Sequence, residues 1–151
     1  MKERERRLKR LRAVEREFDT AAVAIDALGA RLKADPSALE KHGLARQDFR
    51  TLKRNLEATY LIRLFAEFET GLRAAWMRAF RRKSHPAVTD LLNGVAARRS
   101  ISQKWLDDVH NVRAYRNSLI HEESEQVPPV EIHEASDRLR RFFSQLPADW
   151  Q

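Results

Sequence analysis

Residues 105–121 read Trp-Leu-Asp-Asp-Val-His-Asn-Val-Arg-Ala-Tyr-Arg-Asn-Ser-Leu-Ile-His. At 100° per residue, Trp105, Val109, Val112, Leu119 and Ile120 share one face, the period of a helix and not of a strand. Arg116 projects from within that apolar face. His110, Asn117 and His121 lie on an adjacent strip, and Arg113 sits between strip and face. A charge on an apolar face is costly unless something pairs with it. A guanidinium, an amide and an imidazole at one helix end are suited to handling phosphate.

The rest of the chain extends the helical reading. With 4 Gly and 5 Pro in 151 residues and abundant Ala, Leu, Arg and Glu, the expected fold class is all-α, a bundle of about five helices. A first helix over about 3–33 carries the heptad Leu11, Val14, Phe18, Ala21, Ile25, Leu28, Leu32. That stripe packs either inside the monomer or against a partner chain. Pro36 ends the helix, with Asp35 or Ser37 capping a short turn. A second long helix starts between Asp48 and Glu57 and ends near Arg82, with Ile62, Phe65, Phe68, Leu72 and Trp76 inward. Glu69 falls on that same arc, whereas Glu67 is expected on the polar side. Ser84-His85-Pro86 reads as a stop and a start for a third helix at 86–98. Ser100 or Ser102 caps the fourth helix, which ends near His121, and a fifth follows Pro128-Pro129 at about 130–145. One domain is expected, with residues 1–34 as a basic amphipathic helix on or extending a core of residues 35–151.

Two misplaced charges, Glu69 and Arg116, resolve each other if they meet, within a monomer or across a dimer interface. Arg113 is the second-choice partner. The absence of cysteine excludes disulfides, thiolate metal sites and a cysteine nucleophile. His42, His85 and His133 have no ligands at metal spacing, so neither metal nor cofactor is expected. No apolar run reaches membrane-spanning length and no signal-peptide core is seen, so the expectation is a cytoplasmic protein without membrane partners. The net charge is +7, of which residues 1–12 supply +5. Lys2, Arg4, Arg6, Arg7, Lys9 and Arg10 are therefore candidate RNA-binding residues, the alternative being a solvated helix end.

Residues 105–121, with the stretch YLIRLFAEFETGLR at 60–73 upstream, resemble the HEPN family (higher eukaryotes and prokaryotes nucleotide-binding domain). The family motif is Arg, a polar residue, three variable residues and His on the last core helix of a small bundle. Arg116, Asn117 and His121 match it, and the resemblance covers roughly residues 55–146. It implies a homodimer whose two motifs face one cleft and a metal-independent endoribonuclease of toxin–antitoxin or defence type. His121 would then be general acid or base, Arg116 the stabiliser of phosphorane charge, and Asn117 an orienting group. Glu69, Arg113 and His110 would support them. Glu122 and Glu123 are expected to favour positive charge on His121. Glu123 also stands where some family members carry a tyrosine that is adenylylated, so silencing by that route is not expected here. Other members are inactive, which leaves the alternative of a non-catalytic module binding RNA, a nucleotide or a protein.

Overall fold

The computed structural model describes residues 2–121 and 126–150. It is all-helical: α1 (Glu3–Ala34), a single 3-10 turn (Glu40–His42), α2 (Arg46–Arg78), α3 (Val88–Arg99), α4 (Gln103–Ile120) and α5 (Ile132–Phe143). Among the described residues there is no strand, and no helix is long and apolar enough to cross a membrane.

Local chemistry sets the helix ends. Glu3 and Glu5 in the first turn of α1, and Arg31 and Lys33 in its last, complement the backbone dipole. Asp35 leaves helical geometry before Pro36, as expected where the proline ring crowds the preceding residue, and its carboxylate accepts bonds from Ser37. Gly43 supplies the left-handed turn (φ 72°) that returns the chain towards α2. Helix α2 starts earlier than its apolar pattern predicts, because Asp48 accepts a bond from the Ala45 N–H at 2.7 Å and secures the first turn. Pro86 precedes α3 and does not sit in its first turn; α3 begins at Val88. Ser102 is the N-cap of α4, while Ser100 ends α3 in the left-handed region. Glu131 caps α5 by accepting from the N–H groups of His133 and Glu134.

The heptad of α1 packs within the chain. Leu11 and Val14 join a central core with Leu61, Leu64, Phe65, Phe68 and Leu72 of α2, Leu91 and Leu92 of α3, Val109 and Val112 of α4, and Leu139, Phe142 and Phe143 of α5. Helix α5 lies in the groove between α1 and α2 and also packs on α4, while α3 packs on α2 and α4. Phe68 meets Phe142 and Phe143 edge-on, each with ring centres 6.1 Å apart. The core ends at Val14 on α1 and Leu61 on α2, with Phe18 and Tyr60 at its margin. The two helices run on as a hairpin in which Ile25, Leu32 and Ala38 are buried apart from that core.

A polar clasp joins α1 to α5. The Nδ1 of His133 lies 2.8 Å from Glu15 and its Nε2 3.1 Å from Asp19. The buried Ser136 hydroxyl donates to Glu15 at 2.7 Å, and Arg140 adds its charge at 3.6 Å. The bond to Glu15 raises the His133 pKa, with Asp19 and Glu131 reinforcing it against partial burial. Burial opposes charge on Glu15, yet the bonds from His133 and Ser136 and the Arg140 guanidinium outweigh it and hold its carboxyl below the usual range.

Candidate functional site

Helices α2 and α4 cross where the two misplaced charges stand, and the structure brings them together. Arg116 Nη2 lies 3.3 Å from Glu69 Oε2, and the guanidinium carbon sits 4.6 Å from the centre of the buried Phe65 ring. The pair lies within one chain. It is mostly shielded, not sealed: the side chains are 19% and 22% exposed. One face of Arg116 thus has a cation–π contact and one edge a carboxylate, which fixes it as a bare side chain could not be fixed.

Glu69 has a second partner. Its Oε1 accepts from Arg73 Nε at 2.9 Å and Nη2 at 2.7 Å, and Arg73 Nη1 donates to the Pro86 carbonyl at 3.0 Å. The connection into α3 is thereby tied to the site. Arg73 was not among the expected site residues, although its position four residues after Glu69 on one helix was a readable signal. Phe65 was expected as core and serves also as the platform under Arg116.

Arg113, one turn before Arg116, does not contact Glu69, and its Nε is buried without a hydrogen-bond partner among the described residues. Arg73, Arg113 and Arg116 against Glu69 leave the site electropositive. His110 is tied away from the motif: its Nε2 lies 2.9 Å from Asn93 Oδ1 on α3. Burial lowers its pKa and the Arg113 charge adds to that, against Asp107, so His110 is neutral at pH 7. An acceptor at Nε2 assigns the proton there.

Asn117 is half-buried, and its carbonyl accepts the His121 N–H at 2.9 Å. His121 is the C-cap of α4; the backbone turns extended there (φ −105°, ψ 129°) and the side chain is exposed. Neither the Asn117 amide nor the His121 ring has a partner among the described residues. The motif therefore holds a fixed cation and an accessible imidazole, on residues whose backbones are about 7.5 Å apart along the helix axis. The expectation for Glu122 and Glu123 lies outside the described residues. Ile120, expected on the apolar face, is 47% exposed, because α4 ends there and α2 no longer covers it. Among the described residues, no three His, Asp or Glu side chains converge as a metal ligand set.

The basic N-terminus is a docked helix and not a free arm. Arg4 donates to the carbonyls of Ser144 and Leu146 at 3.0 and 2.7 Å, closing the end of α5. Arg7 is 12% exposed, bonded to Glu3 and 3.8 Å from Glu67. Both side chains are tied into the fold. Lys2, Arg6, Lys9 and Arg10 remain exposed, each with an acidic neighbour: Asp149, Glu3, Glu5 and Glu67. Glu67 accordingly faces α1 and not solvent, with Arg10 Nε at 3.1 Å; α1 covers the side of α2 that reads as polar.

No family model matches this chain, and neither a curated protein nor a solved structure matches it.

Proposed function

We propose that this protein is a metal-independent endoribonuclease of the HEPN kind, a toxin or defence effector acting in the cytoplasm under a regulatory partner such as an antitoxin. The observation that carries this reading is the placement of Arg116 and His121. The first is held against Glu69 and Phe65, and the second stands exposed where α4 ends. In the reaction the RNA 2′-oxygen attacks the adjacent phosphorus and the bond to the 5′-oxygen breaks. A 2′,3′-cyclic phosphate and a 5′-hydroxyl remain. Arg116 stabilises charge on the phosphorane, the charge of Arg113 one turn earlier adds to the positive field, and Asn117 orients substrate or imidazole. His121 moves the proton, as base at the 2′-oxygen or acid at the 5′-oxygen. One imidazole does not do both at once, so a homodimer bringing two His121 side chains to one cleft completes the scheme. Exposed Lys2, Arg6, Lys9 and Arg10 are the remaining candidates for holding RNA phosphates.

The Glu69–Arg116 contact also favours a second reading, since a guanidinium already paired is suited to tying helices together. The protein would then bind RNA, a nucleotide or another protein without cutting. The two readings separate on incubating the protein with RNA in EDTA and analysing the ends. Cleavage with 2′,3′-cyclic phosphate termini is expected; binding without cleavage selects the second reading, and a requirement for Mg²⁺ overturns the metal-free mechanism.

A further inference from the structure

The groove between the two long helices is only partly filled. Helix α5 enters it at mid-length, where the Ile132 N–H donates to Glu57 at 2.9 Å and His133 meets Glu15 and Asp19. From there α5 runs towards Arg4, and the groove on its other side is open towards Pro36. The same helix faces continue into the open part. Asp26 and Lys33 follow Glu15 along one line of α1 at i+11 and i+18. On α2, Arg46 and Lys53 lie on one line with Leu64 and Gly71, against which α5 packs. The open stretch is a cleft of about 310 Å³. Its floor is Ile25, Gly29, Ala30 and Phe49, and the Phe49 ring rests where a side chain on Gly29 would begin, 3.3 Å from an ideal Cβ.

Lys33, Arg46, Arg50 and Lys53 form the rim, against the single carboxylate of Asp26. Among the described residues these four cations have neither an ion-pair nor a hydrogen-bond partner. That contrasts with the start of α1, where each of the six cations named above is engaged. Arg46, Arg50 and Lys53 follow i, i+4, i+7, a row of like charge about 10.5 Å long. Its repulsion is relieved by carboxylates at matching helical spacing.

We propose that the α1–α2 groove beyond α5 docks an acidic amphipathic helix of a partner protein, two to three turns long. Charge complementarity supplies the acidic requirement. The apolar floor supplies the helical one: a phosphate chain would satisfy the rim and leave the floor wet, whereas a helix covers both, as α5 does a few turns away in the same groove. This surface is independent of the ribonuclease reading.

The test titrates the full chain with a synthetic peptide of about 14 residues, Leu on one helical face and Glu flanking it, long enough for roughly four turns. Binding is followed by anisotropy, with chemical shifts locating it at residues 25–33 and 46–53. Affinity should fall about tenfold in the triple variant Arg46→Glu, Arg50→Glu, Lys53→Glu, which removes three exposed ion pairs. It should be lost in Ala30→Trp, which plugs the floor from an exposed position and keeps the test decisive if the triple variant fails to fold. The same peptide with Lys in place of Glu should not bind. Absence of binding, equal binding of the Lys peptide, or displacement of the acidic peptide from these residues by single-stranded oligouridylate overturns the proposal, the last in favour of a nucleic-acid surface.

Discussion

Replacing Glu69 with alanine removes the hub of the α2–α4 crossing. Its Oε1 accepts both bonds from Arg73 and its Oε2 pairs with Arg116, so the substitution strands one guanidinium over Phe65 and loosens another. Breaking a fully buried pair by deleting one partner costs about 3–5 kcal/mol. Here the side chains of Glu69 and Arg116 are 22% and 19% exposed, so water reaches part of the orphaned charge. The expected loss is about 2 kcal/mol, between the buried case and the near-zero median of surface pairs. In a chain of this size that lowers Tm by roughly 4–8 °C. Arg73→Ala should cost about half as much, since that side chain is more exposed and its partner keeps Arg116. The assay is thermal and urea unfolding of the two single variants at Glu69 and Arg116 and of the double variant. A coupling of roughly 1–2 kcal/mol is expected between residues in direct contact. Unfolding of Glu69→Ala indistinguishable from wild type, or zero coupling, would refute the assignment of this contact as the feature that fixes Arg116.

Three further outcomes follow from the packing. Gly71→Ala places a Cβ 2.9 Å from the Phe143 ring, so it should destabilise by roughly 1–3 kcal/mol in urea unfolding, despite the better helix propensity of alanine. Arg4→Ala should lower stability by about 1 kcal/mol and speed amide exchange at the start of α1 and the end of α5, because it frees the Ser144 and Leu146 carbonyls. The α1–α5 clasp should make stability pH-dependent in two directions. The raised pKa of His133 gives a contribution complete below its ordinary value of 6.5 and lost as pH rises through the higher folded value. The lowered pKa of Glu15 gives one complete above its ordinary value of 4.5 and lost as pH falls through the lower folded value. The clasp is therefore strongest between those values, and His133→Gln should abolish the alkaline limb of a Tm–pH profile and shrink the acid limb, because the His133 bond is the largest of the contacts that lower the Glu15 pKa.

Much of this architecture can be read without coordinates. The heptad of α1 and the 100° arcs of α2 and α4 identify the helices, and a carboxylate and a guanidinium displaced onto apolar arcs identify each other. What resists reading is which second surface each helix meets. Glu67 looks solvent-facing because one helix has one evident apolar face, yet α2 is covered by α1 on one side and α4 on another. His133 looks idle because its partners Glu15 and Asp19 lie more than a hundred residues earlier, on a helix whose position no local pattern encodes. Arg4 and Arg7 look like a polycationic tail for the same reason: the Arg4 acceptors lie just past the end of α5, and Arg7 meets Glu67 on α2. The open groove is likewise a property of where α5 starts, which its own sequence marks and its neighbours' sequences do not.

The central claim is that His121 moves a proton during RNA cleavage, and single-turnover cleavage by folded His121→Ala in EDTA tests it most directly. His121 is exposed and without a partner among the described residues, so the variant should keep the wild-type Tm and oligomeric state. A general acid or base contributes about 10²–10⁴-fold, and the cleavage rate should fall by that factor. Cleavage at the wild-type rate by the folded variant contradicts the claim.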